Sequence, residues 1–126
     1  MLLCVEVAAF QTEIASIQDH EDASTFRVRG RVRYAEAPEL RNRVLDWIDG
    51  TPASRLVISL GQVEEIDTSG AAVLVEALLR GRQVHKSILL CSPSDSVLRL
   101  FRLAGFEEAL DACCATPAET AQRLMA

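Results

Sequence analysis

The run from Leu56 to Leu79, LVISLGQVEEIDTSGAAVLVEALL, changes its hydrophobic period partway along, and that change decides the fold class. With Arg55, its first part reads RLVISL, an apolar stretch of strand length rather than helix length, as expected for a central strand buried in a sheet. GQVEEIDTS then reads as a turn. The stretch GAAVLVEALLRG follows with helical spacing, placing Val73, Ala77 and Leu78 on a buried side and Gly81 at its stop. A buried strand feeding directly into a helix is the unit from which α/β domains are built.

The neighbouring segments continue the alternation. Upstream, Glu13 to Gln18 (EIASIQ) is a weak strand followed by the polar turn DHEDAS, so a hairpin starts there. From Thr25, Phe26, Val28 and Val32 alternate with Arg27, Arg29, Arg31 and Arg33, the period of two of a strand with one apolar and one arginine face. After Pro38, Leu40, Val44, Trp47 and Ile48 recur at three- and four-residue spacings, marking an amphipathic helix that ends near Gly50 and Pro52. Downstream, SILLC reads as another buried strand. Ser92-Pro93-Ser94-Asp95 combines a capping serine, a proline at the first helical position and an acid three residues after the cap. The helix it starts runs to Gly105, with Val97, Leu98, Phe101 and Leu103 facing the core. A short strand over Phe106 to Leu110 and a closing helix from Thr116 to Leu124 or Met125 complete the chain.

Composition narrows the function. The 126 residues suit one domain, and 49% hydrophobic with 25% charged residues is an ordinary globular balance. A formal net charge of -5 argues against nucleic acid, whose binders carry a basic face. The start MLLCVEVAAF lacks the pattern of a signal peptide and no run is long enough to span a bilayer, so the expectation is a cytoplasmic protein without membrane insertion. Four cysteines, Cys4, Cys91, Cys113 and Cys114, show no CxxC spacing, so no zinc site is expected. Cys91 reads as a small buried hydrophobe, and the vicinal pair as ordinary thiols or a redox handle.

Function in open α/β sheets gathers where strands end and helices begin, which directs attention to Asp67, Thr68, Ser69 and Gly70. Any of the first three side chains can cap the following helix. Thr68 or Ser69 is then either a plain N-cap or a phosphate acceptor. A phosphate there would add roughly -1.5 to -2 charge beside Asp67, Glu64 and Glu65, tolerated by the helix terminus and felt by any partner. Catalysis finds less support: no phosphate loop or cofactor motif is present, and His20 and His85 have no evident chemical partner in sequence.

At these residues the chain resembles the STAS domain family, in the form of bacterial anti-sigma factor antagonists. The resemblance rests on LVISLGQVEEIDTSGAAVLVEALL joined at the right distance to SILLCSPSDSVLRLFRLAGFEEAL, and extends back through FRVRGRVRYAEAPELRNRVLDWI. It covers roughly residues 13 to 112. Residues 1–12 are read as an N-terminal extension (an extra edge strand, a homodimer contact or a mis-assigned start) and 13–126 as the domain.

The resemblance implies an α/β domain with a mixed central sheet of four to five strands and about four helices. It implies a non-enzymatic binding module without a cofactor, whose partner is an anti-sigma factor and GHKL-type serine-threonine kinase. Thr68 is the implied acceptor, with Ser69 second, and a PP2C-type phosphatase removes the phosphate. One departure stands out: where family members often carry Gly-x-Leu-Asp, this chain has Gly30-Arg31-Val32-Arg33, so Arg31 and Arg33 join Asp67, Thr68, Ser69 and Gly70 as candidate partner contacts, or are a solvated strand face. STAS subunits of lipid-transport ABC systems, which brace an ATPase, are the alternative. A phosphoacceptor receiver at Asp67 is rejected, because the sole lysine, Lys86, precedes Ser87 and not proline.

Overall fold

The computed structural model describes residues 15–20, 22–93, 95–106 and 113–114. In chain order these form β1 (Ala15–His20), β2 (Ala23–Val32), α1 (Ala37–Gly50), β3 (Arg55–Ile66), α2 (Thr68–Gln83), β4 (Ser87–Cys91), α3 (Asp95–Ala104) and β5 (Cys113–Cys114). The strands lie side by side in the order β1-β2-β3-β4-β5. β1 runs antiparallel to β2, and every later pairing is parallel. The sheet is therefore mixed, as expected.

Alternation along the strands builds the core. Phe26, Val28 and Val32 of β2, Leu56, Ile58 and Leu60 of β3 and Leu90 of β4 project to one face. There they join Leu40, Val44, Trp47 and Ile48 of α1, Ala71, Leu74 and Ala77 of α2, and Val97 and Phe101 of α3 in a single cluster. Trp47 packs on Phe26 with ring centroids 5.2 Å apart. Its indole Nε1 donates to Ser24 Oγ at 2.8 Å, and that hydroxyl donates to Asp19 Oδ1 at 2.6 Å. The fully buried Ser24 is thus what satisfies the tryptophan.

Two ion pairs cross between the exposed sides of α1 and α2. Arg41 holds Glu76 through two hydrogen bonds of 2.8 and 2.7 Å, and Arg80 holds Asp49 through two of 3.0 and 2.9 Å. Hydrogen bonding from the guanidinium is the main reason that both Glu76 and Asp49 stay below their ordinary values of 4.5 and 3.8.

Several boundaries differ from the sequence reading, each for a local reason. β1 is described from Ala15, Glu13 and Ile14 falling outside the described residues, and it runs past Gln18 to His20; the hairpin is tighter than the DHEDAS turn, since His20 pairs with Ala23 and Ser24 lies within β2. GQVEEI is not a turn but the second half of β3, because it pairs with Arg29 to Val32 through two register irregularities that break its alternation. α2 passes Gly81 and ends at Gln83. His85 adopts the left-handed conformation at φ 59°, and the hydrogen bonds His85 N–H to Arg82 O and Lys86 N–H to Gly81 O close a Schellman turn without glycine. Gly81 instead gives Ile88 room.

Further along, Ser92 has φ 56°, and α3 starts at Asp95, after the proposed cap. It stops at Gly105 as expected, with Phe106 returning a hydrogen bond to Phe101 O and packing against its ring. Leu103 is 79% exposed, whereas Leu100 packs against the core. Phe106, where the short strand was expected to begin, lies in no strand, and the rest of that segment, 107–110, falls outside the described residues; the last strand among the described residues is Cys113–Cys114. The closing helix falls outside the described residues.

Two outcomes follow. Ser24→Ala strands the Trp47 N–H in the core, and urea unfolding should show a loss of about 1–3 kcal/mol. For the ion pairs, both carboxylates have folded values below their unfolded ones, so their contribution is present at neutral pH and disappears as pH falls through those lowered values. The difference in thermal midpoint between wild type and an Arg41→Gln, Arg80→Gln variant should therefore hold steady from about pH 8 to about pH 5 and shrink below about pH 4.

Candidate functional site

β3 delivers Ile66 to the carboxyl edge of the sheet, and the chain turns at once into α2. Asp67 makes that turn. With an extended backbone (φ -117°, ψ -175°), it is the N-cap of α2, and its Oδ1 accepts from Gly70 N–H at 3.1 Å. Its other oxygen accepts from Tyr34 N–H at 2.9 Å, fastening the β2–α1 connection to the same point. Asp67 N–H completes the join by donating to Val32 O at 3.3 Å.

Because Asp67 takes the cap, neither hydroxyl residue is used for it. Thr68 is exposed at the first position of α2, and Ser69 is half-buried at the second. Gly70 is buried where α2 crosses the end of β2: a Cβ there would come within 2.8 Å of Val32 Cγ1 and closer still to the Val32 carbonyl oxygen. The glycine is what lets the helix start this near the strand.

The candidate arginines reach the same edge. Arg31 forms an ion pair with Glu65 at 3.0 Å, its register partner on β3. Arg33 lies 3.7 Å from Glu36, whose Oε1 also accepts from the Arg33 N–H at 3.0 Å. Both are therefore balanced locally and do not form a bare cationic row. On the rest of that face Arg27 is exposed and Arg29 is half-buried, its Nε without a hydrogen-bond partner among the described residues.

Tyr34 was not among the residues singled out by motif, yet it stands 79% exposed beside Asp67. The available signal was an aromatic residue in an otherwise polar connection. With Ala37, Pro38, Arg41, Ser69 and Val73 it lines a shallow, largely apolar groove of about 290 Å³ between the starts of α1 and α2. The site thus combines an exposed hydroxyl at a helix start, an exposed aromatic ring and mixed charge. Among the described residues no cluster of three or more His, Cys, Asp or Glu is arranged to hold a metal ion, and no helix is long and apolar enough to cross a membrane.

Comparison with known proteins bears on the family and the fold. The family model described as STAS domain matches residues 15–120. Among solved structures, the unphosphorylated form of the anti-sigma factor antagonist SpoIIAA is 16% identical with a TM-score of 0.71, over 88% of this chain and 96% of that one. An anti-sigma factor antagonist from Mycobacterium paratuberculosis is 19% identical with a TM-score of 0.77, over 89% and 93%. A sulfate transporter family protein from Wolinella succinogenes is 17% identical with a TM-score of 0.67, over 82% and 84%. At these identities the structural likeness speaks to fold.

The junction at Asp67 carries its own test. Gly70→Ala forces α2 away from β2 and should cost about 1–3 kcal/mol. Asp67→Ala removes the cap and should cost about 1–2 kcal/mol, with Asp67→Asn recovering much of the loss. Chemical denaturation of the three variants measures both.

Proposed function

The chain belongs to the STAS domain family, and from that premise we propose that it is an anti-sigma factor antagonist, a binding module whose association is switched by phosphorylation at Thr68. The observation that carries the reading is the division of labour at the start of α2, where Asp67 is the cap and Thr68 is left exposed. A hydroxyl engaged in capping would have to give up a structural hydrogen bond to be modified. Thr68 has no such duty, so it can change state while the fold stays in place.

The electrostatics support a switch rather than a scaffold. The amino end of α2 offers a partial positive charge that lowers the cost of a phosphate there. Toward a partner the same phosphate acts differently: it adds roughly two negative charges to an edge that already carries Asp67, Glu64 and Glu65. The unmodified protein binds an anti-sigma factor that is also a GHKL-type serine-threonine kinase, through Asp67, Thr68, Ser69, Gly70, Arg31 and Arg33. Phosphorylation breaks that contact, and a PP2C-type phosphatase restores it. Ser69, half-buried in the groove, is the secondary acceptor. The protein works by binding, in the cytoplasm, and requires no cofactor.

A kinase assay and titration calorimetry with a purified anti-sigma factor kinase test this reading. Wild type should gain one phosphate that Thr68→Ala does not, and Ser69→Ala should still be modified. Thr68→Glu should bind at least about tenfold more weakly, the effect of losing one well-desolvated contact of about 2 kcal/mol. Equal affinity of Thr68→Glu and wild type would sink the switch at this residue, and selective capture of an ATPase subunit would move the chain to the transport branch of the family.

A further inference from the structure

A larger cavity flanks the other side of α1. The groove beside Thr68 lies between α1 and α2, whereas this one lies between α1 and β1 and has a volume of about 930 Å³. That is within the range of about 300–1,000 Å³ typical of small-molecule sites. Phe26 and Trp47, packed on each other, are buried at its floor. Ile17, the register partner of Phe26, is half-buried beside them, and the exposed Pro52 extends the apolar surface outward. Three exposed carboxylates, Asp19, Glu39 and Asp46, stand around this floor against a single cation, Arg43. Glu39 holds Arg43 at 3.1 Å, and neither Asp19 nor Asp46 has an ion pair among the described residues. The mouth therefore carries two uncompensated negative charges next to an aromatic floor.

We propose that this groove binds a small organic cation, a protonated amine carried on an apolar, ring-bearing body. Each part of such a ligand answers a different part of the wall. The apolar body displaces water from Ile17, Pro52 and the accessible edges of Phe26 and Trp47. The ammonium group meets Asp19 and Asp46, where a charge-assisted hydrogen bond at a partly desolvated mouth is stronger than the same contact in open water. Specificity comes from the excess charge: an anion of the same shape is repelled by it, and a neutral isostere leaves it uncompensated. The inference does not depend on phosphorylation at Thr68.

The groove also contains its own reporter. Trp47 Nε1 donates to Ser24 Oγ, and that hydroxyl donates to Asp19 Oδ1, so the relay that satisfies the buried indole ends on a carboxylate at the mouth. A positive charge arriving at Asp19 withdraws electron density from the Ser24 contact, and the change passes to the indole N–H, because hydrogen bonds in series polarise one another. Trp47 is the sole tryptophan of the chain, so its indole N–H gives a single resonance.

The test is a titration of the nitrogen-15-labelled full chain, followed by the Trp47 indole resonance, with three probes that share one indole body: tryptamine, tryptophol and indole-3-propionate. Tryptamine should shift that resonance saturably and bind at least about tenfold more tightly than the alcohol or the carboxylate. Added salt should weaken tryptamine and leave tryptophol unchanged. Asp46→Asn removes an exposed charge and should weaken tryptamine about threefold or more, and Asp19→Asn, which keeps an acceptor for Ser24, should do the same. The double variant should bind tryptamine no better than tryptophol. Equal affinity for the three probes, a tryptamine affinity untouched by Asp46→Asn, or no shift at millimolar probe would each overturn the proposal. So would an indole resonance that moves with protein concentration alone, which gives the groove to a second copy of the chain.

Discussion

The carboxylate of Asp67 has two oxygens, and each is committed to a different segment of the chain. One accepts from the Gly70 amide and starts α2; the other accepts from the Tyr34 amide and holds the connection leading into α1. Its own amide ties to Val32 at the end of β2. A short polar side chain therefore locates two helix starts and two strand ends relative to one another. Charged acceptors make stronger hydrogen bonds than neutral ones, so a carboxylate suits this junction better than a hydroxyl would. The arrangement also leaves the exposed Thr68 without a capping role, because Asp67 does the capping.

Gly70 completes the same constraint from the steric side. The helix start presses on β2 so closely that no side chain fits between them. The outcome is a closely packed edge on which Thr68 and Tyr34 are exposed, supported below by the cluster of Val32, Ala71 and Leu74. Such packing suits the proposed charge switch, because a modification that had to reorganise the backbone would dissipate part of its effect in the fold. The ion pairs of Arg31 and Arg33 with neighbouring acids have the same character, holding charge in place without leaving an open basic patch.

The sequence reading and the structure agree where apolar spacing is regular and diverge where pairing or backbone conformation overrides it. RLVISL, SILLC and the stripe Leu40, Val44, Trp47 and Ile48 are legible because burial on one face or two leaves a periodic trace. The second half of β3 leaves none, since bulges against β2 break the period and leave Glu64 and Glu65 exposed within a strand. The end of α2 is hidden for a different reason: His85, not a glycine, takes the left-handed position. Tyr34 was invisible as a site residue because its place beside Asp67 comes from a hydrogen bond across 33 positions of sequence.

What the amino-acid order determined by itself was the alternation of strand and helix, the segments that supply the core, and the tetrapeptide Asp67 to Gly70 at a strand-to-helix junction. These are local properties, written in hydrophobic period and in residue types that stop or start helices. Only the tertiary structure decided that Asp67 rather than Thr68 or Ser69 is the cap, that Arg31 and Arg33 are matched by acids, and that Cys114 stands opposite Cys91. Each of those depends on which strands become neighbours and in what register, and register is set by the packing of the whole sheet against its helices.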